Sequence, residues 1–165
     1  MSIQIFKHEG GIYTLYAKQT VDKEISLLWD FFRKPSNLNK LTPEDVNFKI
    51  KSGESDDFYE GKIISYRINP FKFVSLNWIT EISQVKEGSY FIDNQISGPY
   101  KMWHHEHHFK INDNGTTDVI DKVTYKMPFY ILGRLMHKIF IKRKLFNIFM
   151  FRQKRINELF NKSLL

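Results

Sequence analysis

Gly98-Pro99-Tyr100-Lys101-Met102-Trp103-His104-His105-Glu106-His107-His108-Phe109 holds four of the chain's six histidines within five residues. The Gly-Pro pair is a turn signal, and the run after it reads as a β-strand, in which successive side chains point to opposite faces. Trp103, His105, His107 and Phe109 then share one face, while His104, Glu106 and His108 share the other. Two imidazoles between two large aromatics describe a pocket wall with polar handles. The second set describes a solvated surface.

Working outward, Asn112-Asp113-Asn114-Gly115 is a tight-turn sequence that makes a hairpin of this strand and the next, Thr117 to Lys126. A three-residue loop with a bulge would set Asp121 opposite His107 and Val123 opposite His105; a loop one residue shorter or longer would shift that pairing. Further strand-like segments run from Val46 to Ser52, Phe58 to Ile68, Phe73 to Val85 and Tyr90 to Ser97, joined by short turn-rich links. Links this short pair consecutive strands antiparallel. Ile12 to Thr20 alternates as a first strand, followed by a helix with Asp22 as its N-cap and Ile25, Leu28, Trp29 and Phe32 on one face. That helix should stop before Pro35, with a further short helical turn over Ser36 to Leu41. After Pro128 and Gly133 the period becomes helical from Leu132 to Phe160, with a core stripe of Leu135, Ile139, Phe146, Phe149, Ile156 and Phe160. A curved antiparallel sheet needs its concave face covered, and the last helix is the element long enough to do it. An incompletely filled hollow between the two is a natural ligand site.

The bulk properties fit one domain over residues 1–165. Hydrophobic content is 42%, charged content 26%, and 15 Phe raise the aromatic share to 16%, which suggests a bulky core or a lined cavity. With no Cys there is neither a disulfide framework nor a thiol nucleophile. The N-terminal residues do not read as a secretory signal, and no uninterrupted apolar run reaches the roughly 18 residues of a membrane span; a cytoplasmic location is the expectation. The net charge of +7 is concentrated at one end, because residues 126–165 carry ten of the 25 Lys and Arg but one of the 18 acids. A basic, aromatic helix of this kind suits an anionic membrane surface. Charge alone would also admit nucleic acid, but no nucleic-acid-binding motif accompanies it, and nucleic acid is not the expected partner.

Several local signatures occur in one order: Trp29-Asp30-Phe31-Phe32, Pro35-x-Asn37-Leu38, Leu41-Thr42-Pro43, Tyr59-x-Gly61, Tyr66, Trp78-x-Thr80-Glu81-Ile82 and Phe91-x-Asp93-x-Gln95-x-x-Gly98-Pro99-Tyr100. Trp103-x-His105-x-His107-x-Phe109, Gly115-Thr116, Asp121-x-Val123-x-Tyr125-x-x-Pro128 and Phe149-x-x-Arg152 follow. As an ensemble, over roughly residues 12–160, they resemble the START/birch-pollen-allergen-like superfamily, also called SRPBCC or polyketide cyclase/dehydrase-like, and within it small bacterial proteins of unassigned role. The resemblance implies an α+β helix-grip fold: a curved antiparallel β-sheet wrapped around a long C-terminal helix with an internal cavity. It also implies an apolar ligand such as a lipid, polyketide or hormone, with chemistry performed by a minority of members.

The expected function is therefore binding of a small apolar or lipid-like molecule. Trp78, Phe91, Trp103, Phe109 and Tyr125 would line the cavity, and His105, His107 and Asp121 would be its polar anchors. The alternatives are a cyclase or dehydratase using the same His/Asp group as acid and base, or a membrane-surface module working through the basic helix. A metal held by His105, His107 and Asp121 is a further reading, since a His-x-His pair on a strand points two ligands one way. No further His is placed to complete such a site, so neither metal nor cofactor is expected. Phe91, Asp93 and Gln95 share a face that is either pocket lining or an outward polar row. Gly-x-Ser-x-Gly, a phosphate-binding Gly-rich loop and His-Glu-x-x-His are all absent from the sequence, leaving hydrolase and nucleotide-dependent readings without support.

Overall fold

Eight antiparallel strands form one sheet in the computed structural model, which describes residues 2–71 and 74–161. The strands are β1 (Ser2–Lys7), β2 (Ile12–Val21), β3 (Lys49–Ser52), β4 (Ile63–Phe71), β5 (Val74–Lys86), β6 (Tyr90–Ser97), β7 (Met102–Ile111) and β8 (Thr117–Lys126), in the order β1-β2-β8-β7-β6-β5-β4-β3. Helix α1 (Ile25–Phe32) and the 3₁₀ turn Pro35–Leu41 connect β2 to β3. The chain ends in α2 (Tyr130–Met136), a π-helical turn (His137–Ile141), α3 (Lys142–Ile156) and a second π turn (Asn157–Asn161). This is the helix-grip architecture. The strand start expected at Phe73 lies outside the described residues.

The β7–β8 hairpin takes one of the registers that the turn allows. The Asn112 N–H donates to the Thr116 carbonyl and the Gly115 N–H to the Asn112 carbonyl, with Gly115 at φ +82°. Asp113-Asn114-Gly115 is thus a three-residue link whose last position favours glycine. His107 is consequently paired with Asp121 and His105 with Val123. The β5–β6 pairing carries two bulges, one that leaves Ile96 of β6 unpaired and one that leaves Ser83 of β5 unpaired, and such bulges bend a sheet locally.

Several expectations are corrected. The strand expected from Phe58 begins at Ile63, and the one expected from Val46 begins at Lys49. A strand precedes Ile12: β1 pairs with β2 from Ser2↔Lys18 to Lys7↔Tyr13. Helix α1 begins two residues later than Asp22 would set it, with Glu24 in the cap position and no side-chain cap bond. The buried side of the C-terminal helix is Ile141, Leu145, Phe149, Ile156 and Phe160, whereas Leu135, Ile139 and Phe146 face outward. The buried positions Gly133, His137, Ile141, Leu145 and Phe149 recur every fourth residue. A regular α-helix of 3.6 residues per turn would rotate such a row off the core, and the wider π turn at His137–Ile141 keeps it aligned.

The helix is fastened to the sheet along this row. Gln153 Nε2 donates to the carbonyl oxygens of Lys18 (3.2 Å) and Ser2 (3.4 Å). The Tyr125 hydroxyl and His137 Nε2 are 2.8 Å apart, and the His137 ring stacks on Tyr13 at 3.5 Å between centroids. Where β8 hands over to α2, Phe129 and Tyr130 have φ of +60° and +33°, a region that non-glycine residues rarely occupy. Gly133 meets this bend so closely that a Cβ there would stand 1.9 Å from the Pro128 carbonyl oxygen.

Candidate functional site

Between the concave sheet and α3 lies a cavity of about 410 Å³. Its walls are mostly apolar: Ile64, Tyr66, Ile68, Leu76, Trp78, Ile82, Phe91 and Trp103 from the sheet face Leu145, Ile148 and Phe149 from α3. Leu38 and Leu41 close one side, and Pro128, Phe129, Leu132 and Met136 form another. Polar side chains enter this wall chiefly as Asp93, His105, His107 and Arg152, with Thr80 close by on β5.

Those four, with Asp121 directly behind, make one buried cluster that joins β6, β7, β8 and α3. Strand alternation puts His105 and His107 on the inner face of β7, both buried, with ring centroids 3.7 Å apart. Asp93 is paired with His105 across β6–β7, and Asp121 with His107 across β7–β8, so each ring has a carboxylate on either side. His105 Nε2 is 3.0 Å from Asp121 Oδ1 and its Nδ1 is 3.5 Å from Asp93 Oδ2. His107 Nδ1 is 3.0 Å from Asp121 Oδ1 and its Nε2 is 2.9 Å from Asp93 Oδ2. Arg152 reaches down from α3: its Nε donates to Asp121 Oδ2 (2.9 Å), and its Nη2 donates to Asp121 Oδ1 (3.0 Å) while lying 3.2 Å from His107 Nδ1.

Burial by itself would push the Asp121 carboxyl up. The Arg152 charge and the hydrogen bonds from both histidines outweigh it and hold that carboxyl well below its usual value. Asp93 behaves likewise: burial raises it, the charge on His105 and the bond from His107 lower it further, and the net direction is down. The two imidazoles diverge. Burial and the neighbouring His107 charge depress His105, while for His107 the bonds to Asp121 and Asp93 overcome burial and raise it. The two rings are thus pushed in opposite directions, with the Asp121–Arg152 ion pair underneath.

Of the residues singled out in the sequence, Trp78, Phe91, Trp103, His105 and His107 stand on the cavity wall. Asp121 is one layer behind, touching the cavity through the groups that it orients. Phe109 is packed under α1 against Trp29 and Phe32, with centroids at 5.8 and 5.3 Å. Tyr125 is fully buried in the β2–β8–α3 core, its hydroxyl used by His137. Asp93 and Arg152 are central to the cluster although sequence reasoning did not choose them as anchors. Asp93 carried the signal of sharing a strand face with Phe91. Arg152 lies on the buried row between Phe149 and Ile156, where a cation implies a buried partner. On the outer face of β7, Glu106 pairs with Lys122 (2.8 Å) and His108 (2.9 Å), a half-buried surface group.

No family model matches the chain, and no curated protein is similar to it in sequence. Solved structures are similar in fold. Ginseng (Panax ginseng) major latex-like protein 151 superposes with a TM-score of 0.65 at 11% identity, over 92% of this chain and 99% of that one. A protein of Arthrobacter aurescens gives 0.68 at 10% identity over 94% and 91% of the two chains, and a protein of Thermus thermophilus gives 0.64 at 13% over 88% and 98%. The matches run nearly end to end at identities too low to carry function. The chain shares the helix-grip fold of these structures.

Proposed function

We propose that the protein binds a small, largely apolar molecule with one polar end, held in the cavity between the sheet and α3. The observation that carries this reading is the pairing of a roughly 410 Å³, mostly apolar hollow with the buried Asp93–His105–His107–Arg152 cluster in its wall. Sites for small organic ligands have that composition and a volume of about 300–1,000 Å³. In this reading Trp78, Phe91 and Trp103 take the apolar body of the ligand, while His105 and His107 meet its polar end. Asp121 and Arg152 fix the two rings, and Tyr125 and Phe109 act by holding the wall in place. Trp78 adds a donor, since its buried Nε1 has no hydrogen-bond partner. Native mass spectrometry of protein purified from cells tests the reading by detecting co-purified apolar molecules.

A membrane-surface role has one specific observation in its favour. Phe129, Tyr130, Ile131, Leu132 and Leu135 are all exposed, Phe129 and Ile131 at 78% and 74%, and Phe129 and Leu132 also line the cavity. Arg134, Lys138, Lys142 and Arg143 stand among or just beyond them. Among the described residues no helix is long and apolar enough to cross a membrane. An apolar patch with cations around it suits lying on an anionic bilayer instead. Such a patch beside the cavity lets an apolar ligand enter without crossing water.

A further inference from the structure

We propose that Asp93, His105 and His107 form a binding site for a divalent first-row transition-metal ion such as Zn²⁺, with Asp121 as the carboxylate that orients both imidazoles. Each of the two imidazoles has a carboxylate oxygen near both ring nitrogens, giving four N···O approaches of 2.9–3.5 Å. A neutral imidazole carries one N–H and an imidazolium two, so unless both rings are charged at least one of the four approaches has no proton. Protonating every nitrogen would stack two imidazolium rings 3.7 Å apart beside the Arg152 guanidinium, three buried cations against two carboxylates. Somewhere a ring lone pair and a carboxylate lone pair face each other, and that arrangement suits a cation.

A metal ion resolves the count. If it sits among Asp93 Oδ2, His105 Nδ1 and His107 Nε2, the remaining N–H groups are His105 Nε2–H and His107 Nδ1–H. Both lie 3.0 Å from Asp121 Oδ1, which accepts them. Metal-bound histidines commonly donate their second N–H to a carboxylate in this way. Arg152 completes the Asp121 shell through Nε and Nη2. The spacing is close to what such an ion needs, with the His107–Asp93 approach having to open by about 0.4 Å. Ligands about 2.0–2.2 Å from a tetrahedral Zn²⁺ stand about 3.3–3.5 Å apart. Asp93 Oδ2 is 2.9 Å from His107 Nε2 and 3.5 Å from His105 Nδ1, and the three ligand atoms all lie within 4.8 Å of one another. The third ligand is thus Asp93 from β6, in place of Asp121, which the sequence alone suggested.

Three protein ligands leave a coordination position, and the cavity is where it opens, because all three ligands belong to its wall. With a divalent ion in place, two carboxylates and Arg152 leave the cluster one positive charge in excess. The group that fills the open position is therefore an anionic oxygen, a carboxylate or enolate on the polar end of a ligand. The metal site itself does not depend on the apolar-ligand reading, and the two fail separately: metal uptake is measured without ligand, and apolar-probe binding is measured in chelator.

The test is titration of the metal-free full-length protein with Co²⁺, read by visible absorption, and with Zn²⁺, read by calorimetry. One equivalent of Co²⁺ should bind with the intense absorption of a low-coordinate nitrogen–oxygen site and be displaced by Zn²⁺. Asp93→Asn should weaken binding at least 100-fold and Asp121→Asn by 10–100-fold, while His104→Ala/His108→Ala on the outer face should retain it. In wild-type protein, Zn²⁺ should shift the imidazole ¹⁵N resonances of His105 and His107, a readout that needs no variant to fold. Absence of uptake, uptake lost in His104→Ala/His108→Ala, or ¹⁵N shifts confined to His104 and His108 would overturn the proposal.

Discussion

Arg152 on α3 clamps Asp121 on β8 through two hydrogen bonds, Nε to Oδ2 at 2.9 Å and Nη2 to Oδ1 at 3.0 Å, and both side chains are buried. The clamp is the polar joint between helix and sheet, and it fixes the carboxylate that both imidazoles use. Removing one partner strands the other charge. Arg152→Met should cost about 3–5 kcal/mol of unfolding free energy in urea titrations. Arg152→Met/Asp121→Asn should cost clearly less than the sum of the single changes. Additive losses would mean that the two side chains do not act as a pair.

Gly133 is the residue on which the β8–α2 bend closes. Gly133→Ala should lose about 1–3 kcal/mol, because its Cβ would meet the Pro128 carbonyl at 1.9 Å and force the helix start outward. Thermal unfolding measures this, and an unchanged Tm would show that the bend can open freely.

The His137 latch gives the fold a pH dependence whose sign is fixed. Burial, followed by the Lys142 charge, lowers the imidazole to about 4 from its ordinary 6.5. The unfolded chain therefore takes up a proton near pH 6.5 while the folded chain stays neutral until about 4. Stability is complete above the higher value and falls as pH drops through this window. The loss attributable to His137 should be about 2 kcal/mol once partial solvent screening is allowed for. Denaturant titrations at pH 7 and 4.5 should show His137→Gln with a smaller pH dependence than wild type. An equal dependence would remove His137 as its source.

The exposed apolar patch and the hollow are separable by mutation. Ile131→Glu/Leu135→Glu changes exposed residues, so it should leave stability within about 0.5 kcal/mol while abolishing flotation with phosphatidylserine-containing vesicles. Flotation that persists, or that ignores anionic lipid content, would dismiss the membrane reading.

Much of the fold was legible because strands with one buried face alternate visibly. Tyr90–Ser97 and Thr117–Lys126 are bounded as their patterns suggested, and the Asn112–Gly115 turn allowed the register that His107 and Asp121 adopt. Strand β1 carries the same alternation in Ile3 and Ile5, but over a piece too short to stand out against its polar neighbours. The inner row of the last helix was misread for two physical reasons. His137 interrupts the apolar pattern at a buried position, and the π turn there changes the period in a way that no 3.6-residue template anticipates. The anchors were half legible. His105 and His107 announce themselves by alternation, whereas Asp93 and Arg152 acquire their roles from partners on other elements, which local pattern does not encode.

Whether the hollow takes an apolar guest is tested most directly by native mass spectrometry of the protein from cells, with an Ile148→Trp variant in parallel to fill the space beside α3. The account predicts a bound apolar species on wild-type protein, stripped by organic solvent and reduced at least tenfold in the folded variant. Ligand-free wild-type protein that also declines apolar fluorescent probes would contradict it.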